Sequence, residues 1–136
     1  MATKLNPYLS FTNTARDAME FYKSIFGGEL NVFTFGDMGA EDETATLVMH
    51  ASLVTPSGYT LFASDTPPGM TTTPGSNITI SLSGPLADEA ELRGYWDALA
   101  ADGTVHMTLE KQVWGDIFGQ LVDQYGIPWM VNIGQE

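Results

Sequence analysis

The sequence lacks cysteine altogether and is poor in basic residues. The absence of cysteine from 136 residues excludes disulfide bonds, thiolate nucleophiles and cysteine-ligated metal sites. Five Lys and Arg against seventeen Asp and Glu give a formal net charge of −12 at pH 7. This charge argues against nucleic-acid binding, because proteins that bind phosphate backbones present basic surfaces that displace counterions. It also argues against docking on an anionic membrane.

Long hydrophobic runs are also missing. No apolar stretch approaches the ~20 residues of a membrane-spanning helix, and residues 1–7 contain no apolar core of the kind found in signal peptides. We therefore expect a cytoplasmic protein with neither a membrane nor a nucleic acid as partner. The length is that of one domain, and a hydrophobic content of 43% is typical of a globular chain with a real core.

One helix is predicted near the start of the chain. Thr14 and Asp17 have the spacing of a capping box, and Gly27 and Gly28 provide a stop signal. Between them, apolar residues recur on one helical face: Ala15, Ala18, Met19, Tyr22, Ile25 and Phe26.

A second helix is predicted in the other half of the chain. Asp88 and Glu91 are placed to cap it, and Gly103 follows its end. Its apolar stripe consists of Leu92, Tyr95, Trp96 and Leu99. We expect Tyr22, Phe26, Tyr95 and Trp96 to be buried under the convex faces of the sheets.

The remainder of the chain alternates apolar and polar residues, which is typical of half-buried strands. Eight segments have this pattern: residues 7–11, 30–35, 46–55, 59–64, 77–82, 104–111, 118–123 and 127–133. The order strand, helix, strand, strand, strand therefore occurs twice. Residues 1–136 are predicted to form an α+β domain of two tandem βαβββ modules, with module one at about 5–65, a linker at about 66–75 and module two at about 76–134. We expect their mixed sheets to curve around a shared cleft.

Several spaced motifs resemble a known superfamily. The first module carries PYLSF at 7–11, EFYK at 20–23 and FGG at 26–28. These resemble the first module of the vicinal oxygen chelate superfamily, which includes glyoxalases, extradiol dioxygenases and bleomycin-resistance proteins. Four further motifs resemble the PhnB-like branch of this superfamily: TFGDM at 34–38, ASDTPPG at 63–69, WGDIFG at 114–119 and DQYGIPWMVN at 123–132. The resemblance implies the glyoxalase/bleomycin-resistance fold and a homodimer.

The same resemblance makes a metal site testable. Metal-dependent members take His, Gln or Glu ligands from the first and last strands of each module. Strand parity places the matching positions at Asn6, Phe62, Asn77 and Met130. Two amides, a phenyl ring and a thioether do not make a site for Zn²⁺, Fe²⁺ or Mn²⁺. We expect no bound metal and no cofactor.

Catalytic motifs are scarce. The sequence has no G-x-S-x-G elbow, no phosphate-binding loop and nothing that resembles a methyl-donor loop. Asp37, Glu110 and Asp116 are candidate general bases, although acidic residues in turns are usually only solvated. His50 and His106 are the only histidines. We expect both to be exposed or hydrogen-bonded, with the alternative that His50, on one strand face with Val48 and Ser52, contacts a ligand.

The cleft is instead predicted to be lined by aromatic and soft apolar side chains. Phe33 and Phe35 are expected to share a face of the second strand, and Trp114 precedes the seventh. The predicted ligand-binding residues are Tyr8, Phe33, Phe35, Met38, His50, Phe62, Trp114, Phe118, Met130 and Asn132. Such walls suit planar apolar ligands through ring stacking and adaptable sulfur contacts.

Three functions are compatible with this pattern. We favour a metal-free binding protein that holds or sequesters a planar aromatic compound, cationic or neutral, such as an antibiotic. The alternative is a metal-dependent glyoxalase-type lyase, isomerase or dioxygenase, or a metal-free enzyme that uses Tyr8, His50 or Asp116. The third is a housekeeping protein with a vestigial cleft.

Overall fold

The computed structural model describes residues 4–67 and 69–134, which leaves Pro68 of the predicted linker outside the described residues. The chain divides into two compact units, residues 1–73 and 74–136. The first contains β1 (Tyr8–Phe11), α1 (Ala15–Phe26), β2 (Glu29–Thr34), β3 (Val48–Val54) and β4 (Thr60–Asp65). The second contains β5 (Ile80–Pro85), α2 (Glu89–Ala100), β6 (Thr104–Lys111), β7 (Ile117–Val122) and β8 (Pro128–Gly134).

Each unit contains one four-stranded mixed sheet. The strand order is β1-β4-β3-β2 in the first unit and β5-β8-β7-β6 in the second. In both, the strand before the helix pairs in parallel with the last strand, and the other pairs are antiparallel. The predicted βαβββ order is therefore confirmed twice. Over the described part of the chain, neither helix is both long and apolar enough to cross a bilayer.

Helix α1 packs its apolar stripe on the sheet of the first unit as predicted. The buried side chains of the stripe are Ala15, Ala18, Met19, Tyr22 and Phe26. Ile25 lies at the margin of the stripe and is only half-buried. The buried side chains of the helix pack against the inward-facing residues of the strands, which include Leu9, Phe11, Ala51, Leu53, Leu61 and Ala63. This packing covers one face of the sheet, and α1 does not cover the opposite face.

The start of α1 is held differently from the prediction. Thr14 is the N-cap residue, but its side chain makes no capping hydrogen bond. The Ala15 N–H instead donates to Oδ1 of Asp65 at 2.9 Å, and the Val48 N–H donates to Oδ2 of the same carboxylate at 2.8 Å. Asp65 is only 3% exposed. One buried carboxylate therefore joins the first turn of the helix to β3.

Helix α2 confirms three of the four predicted stripe residues. Leu92, Trp96 and Leu99 are buried. Burial of Tyr95 was wrong, because this side chain is half-buried and its hydroxyl donates to Oε2 of Glu91 at 2.6 Å. The predicted capping was right only in position: Asp88 is the N-cap residue but its side chain makes no capping hydrogen bond, and the Glu91 carboxylate accepts the Tyr95 hydroxyl instead.

Several details of the strands also differ from the sequence prediction. Phe35 lies beyond β2, where a short 3₁₀ helix (Gly36–Met38) turns the chain away from the sheet. Asn77 precedes β5 and is not on a strand. A register shift at Phe33/Thr34 separates Val48 from His50, so Val48 is buried while His50 is half-buried. The expectation that Val48 shares a face with His50 was therefore wrong.

Candidate ligand-binding site

An aromatic cluster occupies the face of the first sheet that points away from α1. We define it as Tyr8, His50 and Phe62. Tyr8 and Phe62 are register partners on the parallel strands β1 and β4, and their ring centroids lie 6.1 Å apart in an edge-on arrangement. The His50 ring, on β3, lies 5.7 Å from the Tyr8 ring and 5.1 Å from the Phe62 ring. Three strands thus bring three planar side chains together.

A hydrogen bond fixes the polar edge of the aromatic cluster. Oη of Tyr8 and Nδ1 of His50 are 3.2 Å apart. The tautomer of His50 decides which of the two donates, because Tyr hydroxyls and neutral imidazoles can each do either. In both cases one N–H or O–H donor and at least one acceptor lone pair remain at the edge of the rings for a bound molecule.

Phe33 extends this aromatic surface along the sheet. It is the register partner of His50 on β2. Phe33 is 47% exposed and Tyr8 is 51% exposed, although both are large aromatic residues. Exposed aromatic side chains that gather on one face are typical of an interaction site. Two other predicted site residues, Phe35 and Met38, lie after the end of β2 and not on this sheet face.

The second sheet carries a related set of predicted site residues. Phe118 of β7 is the register partner of Asn132 of β8, and the Phe118 and Trp114 rings lie 6.0 Å apart. Nδ2 of Asn132 donates to Oδ2 of Asp116 at 3.2 Å. Met130, two residues before Asn132 on β8, is half-buried. The structure thus brings Trp114, Phe118 and Asn132 together in one unit.

Sequence reasoning missed a crevice in the second unit. It has a volume of about 340 Å³. Its polar lining residues include Ser76, Thr79, His106 and Gln120. His106 was expected only to be exposed or hydrogen-bonded. The alternation of β7 could have indicated Gln120, because this residue is two positions after Phe118 and shares its strand face.

The residues at the positions of metal ligands do not fit a transition-metal site. Phe62 belongs to the aromatic cluster, Met130 offers a thioether, and Asn77 lies outside β5. Within residues 4–67 and 69–134, no group of three or more His, Asp or Glu side chains could hold a metal ion. The donor set therefore lacks the converging nitrogen and carboxylate ligands that Zn²⁺, Fe²⁺ or Mn²⁺ requires.

Two acidic residues in loops form hydrogen bonds with residues close to them in sequence. Oδ2 of Asp37 accepts the Thr34 N–H at 2.9 Å, and the Asp37 N–H donates to Oγ1 of Thr34 at 3.1 Å. The pKa of Asp42 is lowered from its ordinary value, chiefly by the hydrogen bond from the Thr44 hydroxyl and then by the bond from the Thr44 N–H. Both carboxylates stabilise turns.

The fold and the two ring-bearing sheet faces define the class of protein. The chain has the glyoxalase/bleomycin-resistance fold of the vicinal oxygen chelate superfamily. A solved glyoxylase/bleomycin resistance protein/dioxygenase domain from Frankia sp. EAN1pec shares this fold with a TM-score of 0.67 at 19% identity, covering 100% of this chain and 94% of that one.

Sequence comparison assigns the chain to a narrower family within this superfamily. The family model described as 3-demethylubiquinone-9 3-methyltransferase matches residues 3–132, and the chain belongs to this family. Protein YjdN of Escherichia coli is 31% identical over 142 residues, covering 95% of this chain and 94% of that protein.

Two crystal or solved structures are similar over nearly the whole chain. Protein PA1353 from Pseudomonas aeruginosa is 34% identical with a TM-score of 0.86, covering 99% of this chain and 100% of that one. A putative 3-demethylubiquinone-9 3-methyltransferase, PhnB protein, from Bacillus cereus is 25% identical with a TM-score of 0.72, covering 97% and 100%. The predicted PhnB-like resemblance is confirmed.

Proposed function

We propose that the protein binds a planar aromatic small molecule and needs no metal ion to do so. The aromatic cluster of Tyr8, His50 and Phe62 carries this proposal. Ring faces and edges attract a planar ligand by stacking, and the Tyr8–His50 pair offers hydrogen bonds that orient it. Phe33 supplies further exposed aromatic surface on the same face. These groups are better suited to binding a ligand than to catalysing a reaction.

The family description supports the ligand class. A demethylubiquinone has a quinone ring, which is planar and carries oxygen atoms at its edge. The proposal takes from this description the planar ring of the ligand and not the methyl transfer, because the sequence contains nothing that resembles a methyl-donor loop. An antibiotic of similar shape is another candidate ligand, which the protein would hold as bleomycin-resistance proteins hold their drug. We propose that it does so as a cytoplasmic homodimer.

Ligand binding can be measured by isothermal titration with three neutral planar probes: riboflavin, menadione and quinoline. We expect wild-type protein to bind at least one of them. Tyr8→Ala and Phe62→Ala should each weaken that binding by about 1–3 kcal/mol, the range for loss of an aromatic anchor. Tyr59→Ala is a matched control, because the Tyr59 ring lies outside the aromatic cluster, 6.1 Å from the ring of Phe26, a buried residue of α1.

The outcomes separate binding from the alternatives. Failure of all three probes to bind, or equal affinity in wild type, Tyr8→Ala and Phe62→Ala, would contradict the proposal. Circular dichroism spectra that match wild type show that the variants are folded. Metal analysis of protein purified without chelator tests the glyoxalase-type enzyme. Stoichiometric zinc, iron or manganese would favour that enzyme over a metal-free binding protein.

A further inference from the structure

The end of the β6–β7 hairpin combines two aromatic rings with two carboxylates. We call Glu110, Trp114, Asp116 and Phe118 the tip surface. The Trp114 and Phe118 ring centroids are 6.0 Å apart, and Trp114 is 60% exposed. An indole placed this openly in a folded unit offers its ring to solvent or to a ligand.

The hairpin turn holds the tip surface in place. The Gln112 N–H donates to the Asp116 carbonyl at 2.8 Å, and the Gly115 N–H donates to the Gln112 carbonyl at 3.0 Å. Nε2 of Gln112 donates to the Glu110 carbonyl at 2.8 Å. Gly115 has a φ of +104°, which a residue with a side chain rarely adopts. Trp114 is therefore presented by a turn with its own hydrogen bonds.

Both carboxylates belong on the same side of the sheet as Phe118. Glu110 is the register partner of Phe118, and partners in an antiparallel pair have Cβ atoms about 5 Å apart. Asp116 is two residues before Phe118, and Oδ2 of Asp116 is held by Asn132. Lys111 alternates to the other side of β6, the side of the buried Leu109. Negative charge and ring faces are thus the chemistry that this surface offers.

We propose that the tip surface binds an organic ammonium cation. Aromatic faces attract cations through the ring quadrupole, and the Asp116 and Glu110 carboxylates add direct charge complementarity. The net charge of −12 also favours the approach of cations. The inference rests on the proposed function, since it adds a positively charged group to the class of ligand proposed above.

Choline and its neutral isostere 3,3-dimethylbutan-1-ol test this inference directly, because they have nearly the same shape and differ in charge. Binding is followed by the NMR shift of the Trp114 indole N–H. We expect wild-type protein to bind choline about five-fold more tightly than the alcohol. Asp116→Asn should remove most of this preference while keeping an oxygen that accepts the Asn132 bond. Glu110→Gln should reduce it partly.

Asp97→Asn is the matched control, because Asp97 is exposed on α2 and its loss changes the net charge equally. It should leave the choline preference unchanged. Equal affinity for choline and the alcohol in wild type, or equal losses in Asp116→Asn and Asp97→Asn, would overturn the inference. If wild type shows no preference for choline over the alcohol while riboflavin, menadione or quinoline binding still depends on Tyr8, the cation site falls and the proposed function stands.

Discussion

Replacing Asp65 by alanine should lower the free energy of unfolding by about 2–6 kcal/mol. The Asp65 carboxylate accepts the backbone N–H groups of Ala15 and Val48. Ala15 and Val48 are 0% and 1% exposed, so neither group gains a water partner easily when the carboxylate is removed. Each unsatisfied buried donor costs about 1–3 kcal/mol. Such a loss is a large share of the 5–15 kcal/mol that is typical of a folded domain.

Urea unfolding followed by far-ultraviolet circular dichroism measures this cost. We expect a lower midpoint with an unchanged slope, which indicates lost stability and not a changed denatured state. Asp65→Asn keeps one acceptor oxygen and should lose about half as much. Asp97→Ala, at an exposed position on α2, should stay within about 0.5 kcal/mol of wild type. If Asp65→Ala also stays within that limit, the carboxylate does not hold α1 to β3.

Four further outcomes are expected. Gly28→Ala should destabilise the first unit in urea unfolding, because a Cβ there would lie 2.2 Å from the Val54 carbonyl oxygen and φ is +103°; wild-type stability would contradict this. Trp114→Ala should weaken choline binding to the tip surface by about 0.5–1 kcal/mol in isothermal titration, and unchanged affinity would exclude its ring from that surface. Thr44→Val should raise the Asp42 pKa toward its ordinary value in a carboxyl NMR titration, since the Thr44 hydroxyl bond is the main cause of the lowered pKa. That bond favours the folded state above the ordinary pKa of Asp, and the benefit disappears as the pH falls through the lowered pKa. Light scattering at micromolar concentration should give about twice the 14.7 kDa chain mass, and a monomer would refute the proposed homodimer.

The sequence predicted the element order well because periodicity reports directly on burial. The α1 stripe was identified almost completely, and β6 was predicted with its observed bounds, Thr104–Lys111. Errors occurred where long-range contacts decide the outcome. The helix cap was assigned to Thr14, whereas the acceptor of the Ala15 N–H is Asp65, 50 residues beyond Ala15. No local pattern in the sequence indicates that bond.

The candidate site was predictable where it depends on strand parity. Tyr8 and Phe62 could be placed on one face from alternation alone, and the structure puts their rings 6.1 Å apart. Phe35 could not be excluded in the same way, because the end of β2 is set by the 3₁₀ helix that follows. The bulge that separates Val48 from His50 is equally invisible to a period of two.

The alternation along β4 has a consequence for how such a protein changes during evolution. Leu61, Ala63 and Asp65 are buried, and Phe62 and Ser64 between them face the other way. Substitutions at these intervening positions alter the ring-bearing surface without disturbing the helix-packed core. The ring-bearing surface and the core are therefore encoded in interleaved residues of one strand, so that surface can change while the scaffold stays the same.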